Sequence, residues 1–135
     1  MKSFLISYNN NTLFMLVINM SRDNSALSVD VISQYDRHWF DKVILEAQMT
    51  IDEILLPIKA GDSSLTQDKM CFHLSPTDGT SVDSLSQAIE HTLVFYAYSK
   101  WCLKHGHIVD VDSYYANIKH LMLGVGCKFK RKNEK

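Results

Sequence analysis

From residue 28 onward the chain is organised by apolar residues that recur three and four positions apart, the period of one face of an α-helix. The first run joins Ile32, Tyr35, Trp39, Val43, Ala47, Ile51, Ile54, Leu55 and Ile58. Asp30, Asp36, Arg37, Asp41, Lys42, Asp52 and Glu53 fall largely off that stripe, so the pattern predicts a long amphipathic helix starting near Ser28. Pro57 lacks an amide donor and clashes with the turn before it, which kinks or ends the helix near Leu56, ahead of Gly61. A second run, Leu85, Ala88, Ile89, Leu93, Tyr96, Ala97 and Trp101, follows the candidate caps Ser81 and Asp83 and stops at Gly106. A third, Val111, Tyr114, Tyr115, Ile118, Leu121, Met122, Val125 and Phe129, begins behind Asp110 or Asp112. The short link from Gly106 to Asp112 implies that the last two rods form an antiparallel helical hairpin. Rods with one apolar side are stable only when they pack on one another.

The remaining segments are short. Met70-Cys71-Phe72-His73-Leu74 alternates and runs into Ser75-Pro76-Thr77-Asp78-Gly79, the signature of a strand ending in a turn, and a polar loop over 61–69 precedes it. At the N-terminus, Phe4-Leu5-Ile6-Ser7-Tyr8 and Leu13 to Ile18 flank an Asn/Thr turn. Two readings stand side by side: a β-hairpin docked on the bundle, or an upstream extension preceding a start at Met20. The expected fold is therefore mainly α, a three-to-four-helix bundle with one short β segment and a candidate N-terminal hairpin. The divisions are 1–22 for the extension or hairpin, 23–132 for a single helical-bundle domain, and 133–135 for a C-terminal tail. A chain of 135 residues has room for one core, and roughly two thirds of its surface can be buried without metals or disulfides.

Charge and cysteine usage narrow the classes. A net charge of -1 gives no global field toward nucleic acid or an anionic membrane, so any such contact has to be local. Cys71, Cys102 and Cys127 are an odd count without a CxxC pair, and the sequence carries no recognisable secretory leader, which points to a reducing, cytosolic origin. The longest apolar run, Leu13 to Ile18, is far short of the ~20 residues a membrane span needs.

Motifs that would carry chemistry are sparse. Cys102, His105 and His107 gather a thiol and two imidazoles, with Cys102 and His105 one helical turn apart. A closed zinc site wants four ligands in spaced pairs, however, and Cys71, His73 and Cys127 complete no recognised spacing, so a core thiol with two solvated histidines is the better reading and no metal is expected. There is no Gly-x-Ser-x-Gly turn, and Gly124 and Gly126 sit within a helical stripe instead of after a strand, so they cannot cradle a phosphate. Asp52-Glu53 and Glu90-His91 point about 100° apart as neighbours on a helix and read as solvated faces. The Arg-then-His signature of the all-helical HEPN ribonucleases is missing after Arg22, Arg37 and Arg131. No catalytic residue, no enzymatic activity and no cofactor are expected. Lys128, Lys130, Arg131 and Lys132 suit the C-terminal end of a helix dipole and could touch phosphate. Tyr98, Tyr114 and Tyr115 cannot all face one core together with Tyr96 and Trp101, which makes them candidates for a subunit interface.

One resemblance draws these parts together. A helix carrying Asp36-Arg37-His38-Trp39-Phe40 and running to Leu56-Pro57-Ile58 is followed by the extended Cys71 to Pro76. Leu85 to Trp101 with Tyr98-Ser99-Lys100-Trp101 comes next, and a Tyr-rich helix with a basic end closes the order. Over about residues 28–132 this resembles small head-tail connector (neck or adaptor) proteins of tailed bacteriophages, nearest to those of phages and prophages of Bacteroides-type bacteria. The resemblance implies a non-catalytic virion protein, made in the host bacterial cytoplasm, that forms a homo-oligomeric ring between portal and tail proteins. It also implies portal or packaged-DNA contact for Lys128, Lys130, Arg131 and Lys132, and no membrane association. The rival expectation is a cytosolic helical regulatory or adaptor protein that uses the bundle only as a scaffold.

Overall fold

The computed structural model describes residues 3–24, 30–66, 68–77 and 79–133, with side chains as far as Met122. Strand β1 (Phe4–Asn9) runs directly into α1 (Asn10–Asp23), and a 3-10 turn at Gln34–Asp36 leads into α2 (Arg37–Leu55). A second 3-10 turn, Leu56–Ile58, precedes β2 (Ser64–Leu65) and β3 (Lys69–Leu74), and α3 (Val82–Lys104) and α4 (Asp112–Asn133) follow. The fold is mainly α with a small antiparallel sheet of strand order β1-β3-β2, in line with the expected helical bundle and short β segment.

Local chemistry sets the helix ends. Pro57 falls in the 3-10 turn that ends α2, where its missing amide costs nothing. Ser81, the first of the two candidate caps, accepts the Ser84 N–H on its hydroxyl at 3.2 Å and starts α3. At the far end Gly106 adopts φ 87°, a left-handed conformation that costs glycine little, and the chain turns. Asp110 accepts the Asp112 N–H at 2.9 Å where α4 begins. Helices α3 and α4 run antiparallel, as the short link implied. Tyr114 near the start of α4 stacks on Phe95, while Thr77, ahead of α3, donates its hydroxyl to the Met122 carbonyl at 2.9 Å.

The first helical run begins later than its period suggested. Ser33 and Asp36 form a reciprocal capping box that holds Ser33 extended and delays the α-helix to Arg37. Tyr35, placed on the stripe, is 88% exposed, whereas Ile32 is fully buried through a non-helical route, its N–H bound to the Ser21 hydroxyl.

The N-terminal hairpin needs correction. Leu13 to Ile18 is helical, and β1 pairs with β3 in the register Phe4↔Leu74 to Asn9↔Lys69. Asn9 decides the switch: its carboxamide oxygen accepts the Thr12 N–H at 3.1 Å and caps α1. Ile6 and Tyr8 of β1 and Leu13, Phe14, Val17 and Ile18 of α1 join the same core as α2, α3 and α4. Helix α3 lies at its centre, in contact with α1, α2 and α4 and buried from Leu85 to Cys102 on several sides. Among the described residues no helix is long and apolar enough to cross a membrane.

Candidate interaction surface

The residues singled out for chemistry do not converge. Cys102 is fully buried in α3, while His105, one turn on, folds back along the helix and packs its ring against Trp101 at 4.7 Å. Its Nδ1 donates to the Trp101 carbonyl at 2.9 Å, and its Nε2 lies 3.6 Å from an Asp30 carboxylate oxygen. Trp101 in turn donates its indole N–H to the Asp30 carbonyl and meets Trp39 edge-on at 4.9 Å. These contacts fasten the segment that leads into α2 onto the end of α3. Among the described residues no three His, Cys, Asp or Glu side chains are arranged around one point where a metal could sit.

The aromatic candidates separate. Tyr98 is 3% exposed, so it belongs to the interior and not to a subunit interface; α3 packs against three helices, and Tyr98 lies on a side they cover, whereas His91 and Leu103 of the same helix stay exposed. Burial pushes its phenol up to about 12. Tyr114 and Tyr115 are half-buried at the start of α4. Tyr114 stacks on Phe95 with ring centres 4.3 Å apart, and burial raises the Tyr115 phenol, with smaller contributions from Tyr96 and Asp112. Lys128, Lys130, Arg131 and Lys132 lie on the last turns of α4, and their side chains are outside the described residues.

Two concavities open beside these tyrosines. The larger, about 460 Å³, lies between α1, α3 and the start of α4. Leu16, Met20 and Val94 give it apolar walls, Asp23, Glu90 and His91 supply its charged and titratable groups, and Tyr114 stands at one end. Helix α1 ends in this groove. The Asn24 backbone N–H and side-chain amide both close on the Met20 carbonyl, at 3.1 and 2.8 Å. A second hollow of about 240 Å³ is walled by Leu103, Ile108, Val111 and Tyr115 at the corner between α3 and α4.

Large apolar side chains also face outward, most of them away from these hollows and Ile108 at the rim of the second. Leu45, Met49 and Leu56 are exposed on or just beyond α2, Leu5 and Met15 on the N-terminal arm, and Ile108 at the α3–α4 corner is 90% exposed. The groove residues were not legible as a site. Asp23 precedes the first periodic run and Glu90-His91 read as a solvated pair, and only the packing of α1 across α3 brings them together. Comparison of the chain with protein-family models, with curated proteins and with solved structures finds no match.

Proposed function

We propose that the chain is a non-catalytic virion protein, a head-tail connector that assembles as a ring between the portal and the tail of a tailed phage. The observation that carries this reading is the spread of exposed apolar side chains over separate elements, Leu45 and Met49 on α2 against Leu103 and Ile108 at the α3–α4 corner. A subunit in a ring meets its neighbours through two different surfaces, so apolar area on two elements suits it better than a single patch. The order of helix, strand, helix and basic-ended helix that underlies the connector resemblance is the order α2, β3, α3 and α4. Among the described residues the candidate nucleophiles and imidazoles stand apart: Cys102 is sealed in the core and His105 is engaged by its own helix.

The test is composition and affinity together. Mass spectrometry of purified particles should find the polypeptide in the virion, and light scattering of the protein mixed with its portal should show a complex. A protein absent from particles and without portal affinity would end the connector reading.

A further inference from the structure

We infer that the groove between α1 and α3 receives the basic end of α4 from a second copy of the chain. This deepens the ring reading and rests on it for closure of the assembly. The charge of the chain is unevenly divided: residues 1–127 hold nine Lys and Arg against fourteen Asp and Glu, whereas 128–135 hold five against one. A net charge of -1 thus conceals a body of about −5 and an end of about +4.

The groove matches that end in sign and in chemistry. Among the described residues its ionisable side chains are Asp23, Glu90 and His91, with no Lys or Arg; Arg22, in the same turn as Asp23, is not part of its wall. The C-terminus of α1 points its negative dipole end into the same space. Beneath the carboxylates, Leu16, Met20 and Val94 offer the apolar surface against which the methylene stems of Lys and Arg pack while their charged heads reach acid.

Geometry excludes the chain's own tail. Tyr114 lines the groove, and α4 continues as helix to Asn133 while running away from it, with Met122 already beside Thr77. At 1.5 Å per residue, Lys130 stands about 24 Å beyond Tyr114 along the axis. The tail therefore reaches only the groove of another protomer. Such a contact joins two different surfaces, a head-to-tail arrangement that repeats around an axis and closes as a ring if the rotation permits.

Sedimentation of the full chain at low salt should show concentration-dependent self-association, weakened about tenfold between 50 and 500 mM salt as screening shortens the reach of the charges. Asp23→Lys with Glu90→Lys should weaken it about a hundredfold, and Lys128, Lys130, Arg131 and Lys132 all changed to Glu should do the same. Mixed together, the two variants should associate again, since the reversed charges are complementary. The tail variant leaves every core residue in place, which keeps the test meaningful if the groove variant folds poorly. A chain that stays monomeric at low salt, a tail variant that self-associates like the wild type, or a tail variant that loses only affinity for double-stranded DNA would overturn the proposal. A monomer that nevertheless binds portal would leave the connector reading intact and remove this contact alone. Self-association without portal affinity would do the reverse.

Discussion

The α2–α3 pair and the N-terminal arm contribute to one core by different means. Helices α2 and α3 bury stripes that recur at helical spacing, from Phe40 and Ile44 to Leu55 on one and from Leu85 to Trp101 on the other, and each helix is defined within its own residues. The arm depends on partners distant in the chain. Strand β1 exists because β3, more than sixty residues away, pairs with it, and the Asn10 N–H at the start of α1 donates to the Asp68 carbonyl. An element whose hydrogen bonds are local declares itself in its period; one completed by distant segments does not.

The first way to break this contrast is to ask whether the arm carries as much stability as the central pair. Phe14 on α1 and Phe40 on α2 are both buried, with ring centres 4.9 Å apart. Phe40→Ala should cost about 3 to 5 kcal/mol, and Phe14→Ala should fall in the same range if the arm is integral. Urea unfolding of both variants checks this. A loss under about 1 kcal/mol for Phe14→Ala would mean that the arm detaches without unfolding the rest.

A smaller effect probes the junction itself. The strand becomes a helix at Asn9, whose carboxamide oxygen caps α1 through the Thr12 N–H. Asn9→Ala should cost about 1 kcal/mol, and Asn9→Asp or Asn9→Ser should recover most of it. Equal stability for all four chains would show that the pairing of β1 with β3 alone places the start of the helix.

Much of the bundle was legible because its signals were local: Pro57 ended α2, Ser81 opened α3 and Gly106 closed it. The misplaced parts share one cause. Leu13 to Ile18 is apolar enough for strand or helix, and the choice rests on a cap and a distant strand. Tyr98 looked surplus to a core already holding Tyr96 and Trp101, but α3 packs on α1, α2 and α4 at once, and that wide contact covers Tyr98 too. The groove was illegible for a related reason: Asp23 and Glu90 are 67 positions apart, and no periodicity reports which helices cross.

Two buried tyrosines, one from each region, give the finest comparison. Tyr8 in the arm donates its hydroxyl to the Ser86 carbonyl at 2.7 Å, while the Tyr98 hydroxyl on α3 is buried with no nitrogen or oxygen partner among the described residues and only the weakly bonding Cys102 thiol beside it. Tyr8→Phe should therefore cost about 1 kcal/mol at neutral pH, and Tyr98→Phe should cost nothing or stabilise slightly, because it removes a polar atom that burial penalises. The pH dependence follows from the same burial. Both phenols are held neutral in the fold, with the Tyr98 value pushed up to about 12 and that of Tyr8 raised as well, against about 10 in the unfolded chain. Below pH 10 neither state ionises them and their contribution is constant. Above it the unfolded chain loses protons first, so stability falls as pH rises toward the folded values. Each Phe variant should gain on the wild type between pH 10 and 12, narrowing the deficit of Tyr8→Phe and turning Tyr98→Phe into the more stable protein. Denaturant melts at pH 7 and pH 11 measure both differences, and a neutral-pH cost for Tyr98→Phe as large as that for Tyr8→Phe would show that the Tyr98 hydroxyl has a partner in solution.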